Sequence, residues 1–168
     1  MSTNIDFFTP RCQTYGITHE QFGICDDVDL DEKTPAYVTL ENPTQWGATV
    51  VNQSGHPLNF TAVDNCVEVH RNNHDMESRC DAMLTNAEHL VFVELKDERK
   101  NWLTHAAQQL QKTIEMFSQN NDLSKYKHKR AFACNKRHPH FSYSNKELKQ
   151  AFRQNTGFRL YDEATIRF

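Results

Sequence analysis

Asp81, Glu94 and Lys96 are the residues whose types and spacing suit a chemistry. Two carboxylates stand thirteen positions apart, and an ammonium follows two positions after the second. Carboxylate oxygens are hard donors that hold Mg²⁺ while leaving positions open for water or phosphate. A divalent ion neutralises phosphate charge and lowers the pKa of an attacking water, and a nearby lysine orients that water or steadies the phosphate charge. The pattern therefore points to metal-assisted hydrolysis of phosphodiester bonds. Asp81 and Glu94 would hold Mg²⁺ or Mn²⁺, and Lys96 would activate the water.

The elements that must position these groups are legible around them. Residues 90–95 run Leu-Val-Phe-Val-Glu-Leu, with five apolar side chains before and after the charge, as in a strand covered on both faces. In such a strand Glu94 and Lys96 point the same way, about 7 Å apart. Residues 79–84 alternate, with Cys80, Ala82 and Leu84 on one face, and 85–88 (Thr-Asn-Ala-Glu) suit a hairpin turn between the two strands. Trp102, Leu103, Ala106, Ala107, Leu110, Ile114 and Phe117 recur at helical spacing, predicting a helix over 102–117 that stops before Asn120-Asn121. A basic loop then leads to a strand at 131–135. Ser144-Asn145-Lys146-Glu147 offers a cap for a helix over 146–155 that ends at Gly157, and short strands follow at 158–161 and 164–168. Upstream, 36–40 and 48–52 read as strands, 19–24 as a weak helix and 71–78 as a polar loop. Residues 58–69 fit either one long strand or a strand leading into a short helix.

Length, composition and charge set the frame. The chain has 168 residues, 38% hydrophobic and 24% charged, enough for one core of ordinary size. No apolar run approaches the roughly 20 residues that span a bilayer, and the first residues lack a secretory pattern, so a cytoplasmic location and no membrane partner are expected. Five cysteines form no CxxC pair, and free thiols in a reducing compartment are the expectation. The net charge of -3 conceals an asymmetry: residues 1–60 sum to -6, 61–96 to -4 and 97–168 to +7. The basic third could form one face for a polyanion, with Lys127, Lys129, Arg130, Lys136 and Arg137 as contacts and Phe141 as an aromatic neighbour. Cys134, His138 and His140, with Cys66 or Cys80, lack the paired short spacings of a tetrahedral zinc site. No Gly-rich phosphate loop and no Gly-x-Ser-x-Gly elbow is present.

Asp81 followed by Glu94-Leu95-Lys96, between a strand hairpin and a helix, resembles the PD-(D/E)xK nuclease superfamily, which includes restriction endonucleases and RecB-like exonucleases. The resemblance covers about residues 60–140. It implies an α/β fold with a restriction-endonuclease-like mixed sheet flanked by helices, in one domain over 1–168. That domain would comprise an acidic N-terminal extension with strands (1–57), a nuclease-like core (58–142) and a C-terminal helix with strands (143–168). It also implies Asp81, Glu94 and the Leu95 carbonyl as metal ligands and Lys96 as catalyst. Gln109 (or Gln108) would be the helix glutamine of RecB-like members, and Glu68 or Asp64 the further upstream acid. Cys80 stands where many members have proline, and Thr113 where RecB-like members carry a tyrosine. The expected partner is nucleic acid, DNA before RNA, with a homodimer or a specificity-giving protein partner also in view. The competing class is an inactive nuclease-fold binding or inhibitor protein that docks through its acidic N-terminal region.

Overall fold

The computed structural model describes residues 5–26, 28–29, 32–68, 79–137 and 145–168. The polar loop expected at 71–78, His138, His140, Phe141 and the Ser144 cap lie outside the described residues. The N-terminal part forms β1 (Gln13–Ile17), β2 (Gln21–Cys25), β3 (Val28–Asp29), β4 (Glu32–Lys33), β5 (Tyr37–Thr39) and β6 (Ala48–Val51). The middle forms β7 (Leu58–Ala62), β8 (Ala82–Thr85), β9 (His89–Lys96) and the helix α1 (Trp102–Asn120). The rest forms β10 (His128–Asn135), α2 (Lys146–Thr156), β11 (Arg159–Tyr161) and β12 (Thr165–Arg167).

The fold is mixed α/β; the described residues form two mixed sheets and two α-helices, beside the small β3–β4 ribbon. A six-stranded sheet has the order β1-β7-β8-β9-β10-β11; its first three pairings are antiparallel and its last two parallel. A four-stranded sheet has the order β12-β6-β2-β5, with β12 parallel to β6. β9 is central and buried on both sides, which is why its apolar run does not alternate. Leu90 and Phe92 pack with Leu103, Leu110, Ile114 and Phe117 of α1 and Phe152 of α2. Val91 and Val93 face the other way, onto Phe22, Ile24, Val50 and Ile166 of the four-stranded sheet. Helices thus cover one face of the main sheet, and a second sheet covers the other.

Local chemistry explains the boundaries. The hairpin turn is set by the Asn86 side chain, whose Oδ1 accepts from the N–H groups of Glu88 (2.9 Å) and His89 (2.8 Å). α2 ends at Gly157, which adopts φ 77° and donates its N–H to the Arg153 carbonyl at 2.8 Å. Residues 21–25 are a strand, against the weak helical possibility over 19–24. Gly23 is a poor helix former, and as a strand residue it lets the Trp46 ring close over it; a Cβ there would lie 2.2 Å from the indole. Of the stretch 58–69, the described residues 58–68 form β7 followed by a single turn, closed by Val67 N–H to the Val63 carbonyl at 2.9 Å.

The free-thiol expectation is corrected for two cysteines: Cys12 and Cys66 form a disulfide, while Cys25, Cys80 and Cys134 are buried and outside any disulfide. The pair is separated by 54 residues and is brought together because β1 pairs with β7, so no local spacing could announce it. No helix among the described residues is long and apolar enough to cross a membrane.

Candidate active site

Alternation along the strands decides whether the three groups can meet. On β9, Glu94 and Lys96 share the side of Leu90 and Phe92, which is the α1 side. Val63 N–H donates to the Asp81 carbonyl at 2.9 Å, so the β7–β8 pairing continues to Asp81, two residues before Met83 of the α1 side. Asp81, Glu94 and Lys96 therefore lie on one face. Asp81 Oδ2 accepts the Leu95 N–H at 2.7 Å, which anchors that carboxylate across the strand end. The Lys96 carbonyl is taken by Lys136 N–H at 3.1 Å. Successive strand carbonyls point to opposite neighbours, so the Leu95 carbonyl, like its N–H, is directed to the Asp81 side.

The site is nearly dry. Asp81 is 8% exposed and Glu94 2%. Burial pushes the Glu94 carboxyl well above its ordinary value. The adjoining Asp81 carboxylate, within hydrogen-bonding reach, and more weakly Asp64 push the same way, while Lys96 opposes them. Glu94 Oε2 and Gln109 Oε1 are buried acceptors with no hydrogen-bond partner. Unpaired buried oxygens are uncommon, because each carries a desolvation penalty of about 1–3 kcal/mol. A buried carboxyl pair with an unpartnered oxygen fits a hard divalent cation. Asp81, Glu94 and the Leu95 carbonyl would hold it.

α1 is fastened to this site by Thr113. The buried Thr113 hydroxyl donates to the Gln109 carbonyl and accepts the Cys80 N–H, both at 2.8 Å. This fixes the residue before Asp81 against the helix turn that begins at Gln109. Gln109 is the inward residue of the glutamine pair, since Gln108 is exposed. Thr113 thus acts as a bracket between α1 and the segment that enters β8. Its one legible signal was a place one turn after Gln109 on the same helix flank. Thr113→Val keeps the shape and orphans the Cys80 N–H; a loss of about 1–3 kcal/mol in urea unfolding is expected, against near-zero loss for Thr113→Ser.

Glu68 and Asp64 are placed differently. Glu68 is exposed and pairs with Arg11 at 3.2 Å. Asp64, in the turn after β7, is the upstream acid whose charge reaches Glu94. That turn is held by the Cys12–Cys66 disulfide, by Arg11 Nη2 to the Cys66 carbonyl (2.7 Å) and by Arg79 to the Val67 carbonyl.

The basic residues divide into two groups. β9 and β10 run parallel, with His128 beside His89 and Asn135 beside Lys96. Lys136 and Arg137 follow Asn135 and sit at the Glu94–Lys96 end, where Arg137 Nε pairs with Asp97 at 2.9 Å. Lys127, Lys129 and Arg130 lie at the opposite end. From Arg130 to Asn135 is about 17 Å of strand. The five do not form one surface beside Lys96.

Two other metal readings weaken. The Cys80 and Cys134 thiols are both pushed upward, first by burial and then by the Glu94 and Asp81 carboxylates, and Cys66 is in the disulfide. Burial thus disfavours the thiolate form of Cys80 and Cys134, and the disulfide removes Cys66 as a thiol. Among the described residues one trio of donor side chains lies within 4.8 Å: Glu88, His89 and His128, at the Arg130 end of β9. The Arg130 cation beside His89 opposes a second cation there. The chain matches no protein-family model, no curated protein and no solved structure.

Proposed function

We propose that the protein is a Mg²⁺- or Mn²⁺-dependent nuclease that hydrolyses nucleic acid phosphodiester bonds, DNA in preference to RNA. The observation that carries this reading is the buried Asp81–Glu94 carboxyl pair, with unpartnered oxygens and Lys96 on the same face. The order of elements supports a restriction-endonuclease-like core: an antiparallel meander β7-β8-β9, then α1, then β10 parallel to β9. Among the described residues between β7 and β8, Asp64 lies on a single turn, the place for the upstream acid in this reading.

Asp81 is oriented by the Leu95 N–H, and Glu94 is kept from water by α1. When bound, the cation supplies charge neutralisation at the scissile phosphate and acidifies a water. Lys96, at the open end of β9, aligns that water or stabilises the phosphate oxygens as charge grows on them. Lys136 and Arg137 are the neighbouring basic groups for the substrate backbone.

Cleavage should be measured on single- and double-stranded DNA and RNA with Mg²⁺, Mn²⁺ and chelator. Lys96→Ala is expected to lower the rate by roughly 10²–10³-fold with metal binding retained. Undiminished cleavage in both Asp81→Ala and Lys96→Ala would remove the site assignment. Mn²⁺ binding without cleavage of any substrate would favour the inactive nuclease-fold binding protein.

A further inference from the structure

The second basic group surrounds a cavity of about 290 Å³ whose lining includes Lys127, Lys129, Arg130, Arg153, Arg159 and Tyr161 and no carboxylate. Arg130 and Arg159 sit directly opposite each other in the β10–β11 ladder. Like charges facing each other across strands are destabilising unless something offsets them. No ion pair within 4 Å is formed by Arg130 among the described residues, and the Glu163 carboxylate acts on it only from farther off. Its Nη1 donates to the Arg167 carbonyl at 2.9 Å, while Nε and Nη2 are buried without acceptors. The guanidinium is held in place by the rings of Phe132 and Phe168, at 5.4 and 5.1 Å. An arginine preset by its aromatic neighbours, an opposed second arginine and three further cations around one cavity describe a receptor for an oxyanion. Guanidinium forks match phosphate oxygens in pairs, which a scatter of solvated lysines does not.

We propose that this cavity is a phosphate-binding site for the nucleotide chain, separate from the Asp81–Glu94 site. The inference rests on the nuclease reading for its ligand and not for its chemistry. At about 17 Å along β10 from the Lys96 end, it would take a phosphate on the order of five positions from the one being cut, given about 3.4 Å of duplex axis per phosphate in each strand. The site would act as a distant anchor for substrate, with Arg130 and Arg159 as ligands and Arg153 and Lys127 setting the field.

The test is fluorescence anisotropy with labelled oligonucleotides of graded length, in chelator, so that binding is read without cleavage. Arg153→Gln with Arg159→Gln, both exposed positions, should weaken binding of a twelve-nucleotide strand by about tenfold or more and flatten its salt dependence by one to two phosphate equivalents. Arg130→Gln should do the same; its circular dichroism reports whether it folds, and the exposed pair decides the matter if it does not. Inorganic phosphate and a mononucleotide serve as competitors. A mononucleotide that displaces the strand at equal concentration assigns the cavity to free nucleotides, whereas a steep gain with length assigns it to a polynucleotide. Unchanged affinity and salt slope in the exposed pair overturn the proposal, whatever the cleavage assay gives. Conversely, normal binding with no cleavage in metal would remove the nuclease reading and leave the phosphate site standing.

Discussion

Glu94→Gln is expected to eliminate metal-dependent cleavage, by at least about 10²–10³-fold, while making the metal-free protein more stable at neutral and alkaline pH. The first effect follows from the loss of an anionic oxygen ligand. The second follows from where the carboxyl titrates. Burial and the neighbouring Asp81 carboxylate hold the Glu94 proton to a higher pH in the folded chain than in the unfolded one. Between those two values the folded state binds more protons, so stability falls as pH rises. The contribution is fully present below the ordinary glutamate pKa and is lost as pH passes through the raised one. Glutamine keeps the shape, cannot ionise and offers an N–H to Asp81, so this slope should disappear. In the wild type, Mg²⁺ or Mn²⁺ should restore stability most at high pH, where Glu94 is ionised and competition from protons is least. Urea midpoints across pH, with and without Mn²⁺, check all of this. A wild-type profile in chelator that rises with pH across that window, or a Glu94→Gln profile parallel to wild type, would show that Glu94 does not titrate as described.

Breaking the Cys12–Cys66 disulfide should have the largest effect on stability. The bond closes a loop of 54 residues, for which chain entropy gives about 4 kcal/mol. A domain of this kind has only about 5–15 kcal/mol in total. Cys12→Ser, Cys66→Ser and reductant treatment of the wild type should converge on one lowered urea midpoint, with reductant adding nothing to either variant. Because Cys66 lies in the turn that carries Asp64, the same variants should also bind Mn²⁺ more weakly in calorimetry. Equal midpoints for reduced and oxidised wild type would mean that the bond adds nothing to the native state.

Local patterns announced the strands and helix that carry the site. The apolar run of β9, the Asn86 turn, the three-and-four spacing of α1 and the Gly157 stop each involve residues within one element or one turn. The features that were not legible depend on residues far apart in sequence. β1 is short and mostly polar, and it is defined by its pairing with β7. The covering sheet is assembled from residues 21–51 together with 165–167. The choice between Asp64 and Glu68 turned on one tight turn, and both are plain acids in a polar stretch. The separation of Lys127, Lys129 and Arg130 from Lys136 and Arg137 follows from the parallel register of β10 on β9. A charge count cannot see that a strand carries its two ends to opposite sides of a molecule.

The position of β12 has a kinetic consequence. Thr165, Ile166 and Arg167 pair with Thr49, Val50 and Val51, joining segments 116 residues apart in the chain (165 − 49). Contacts across such a separation form slowly, since the entropy of closing the loop must be overcome before the contact gives anything back. Until they form, β6 presents an open edge beside the apolar Val50 and Phe22, and the Val91–Val93 side of the main sheet has an incomplete cover. Refolding should therefore be late to complete on this side and sensitive to protein concentration, because an open edge next to apolar surface also accepts strands from other molecules.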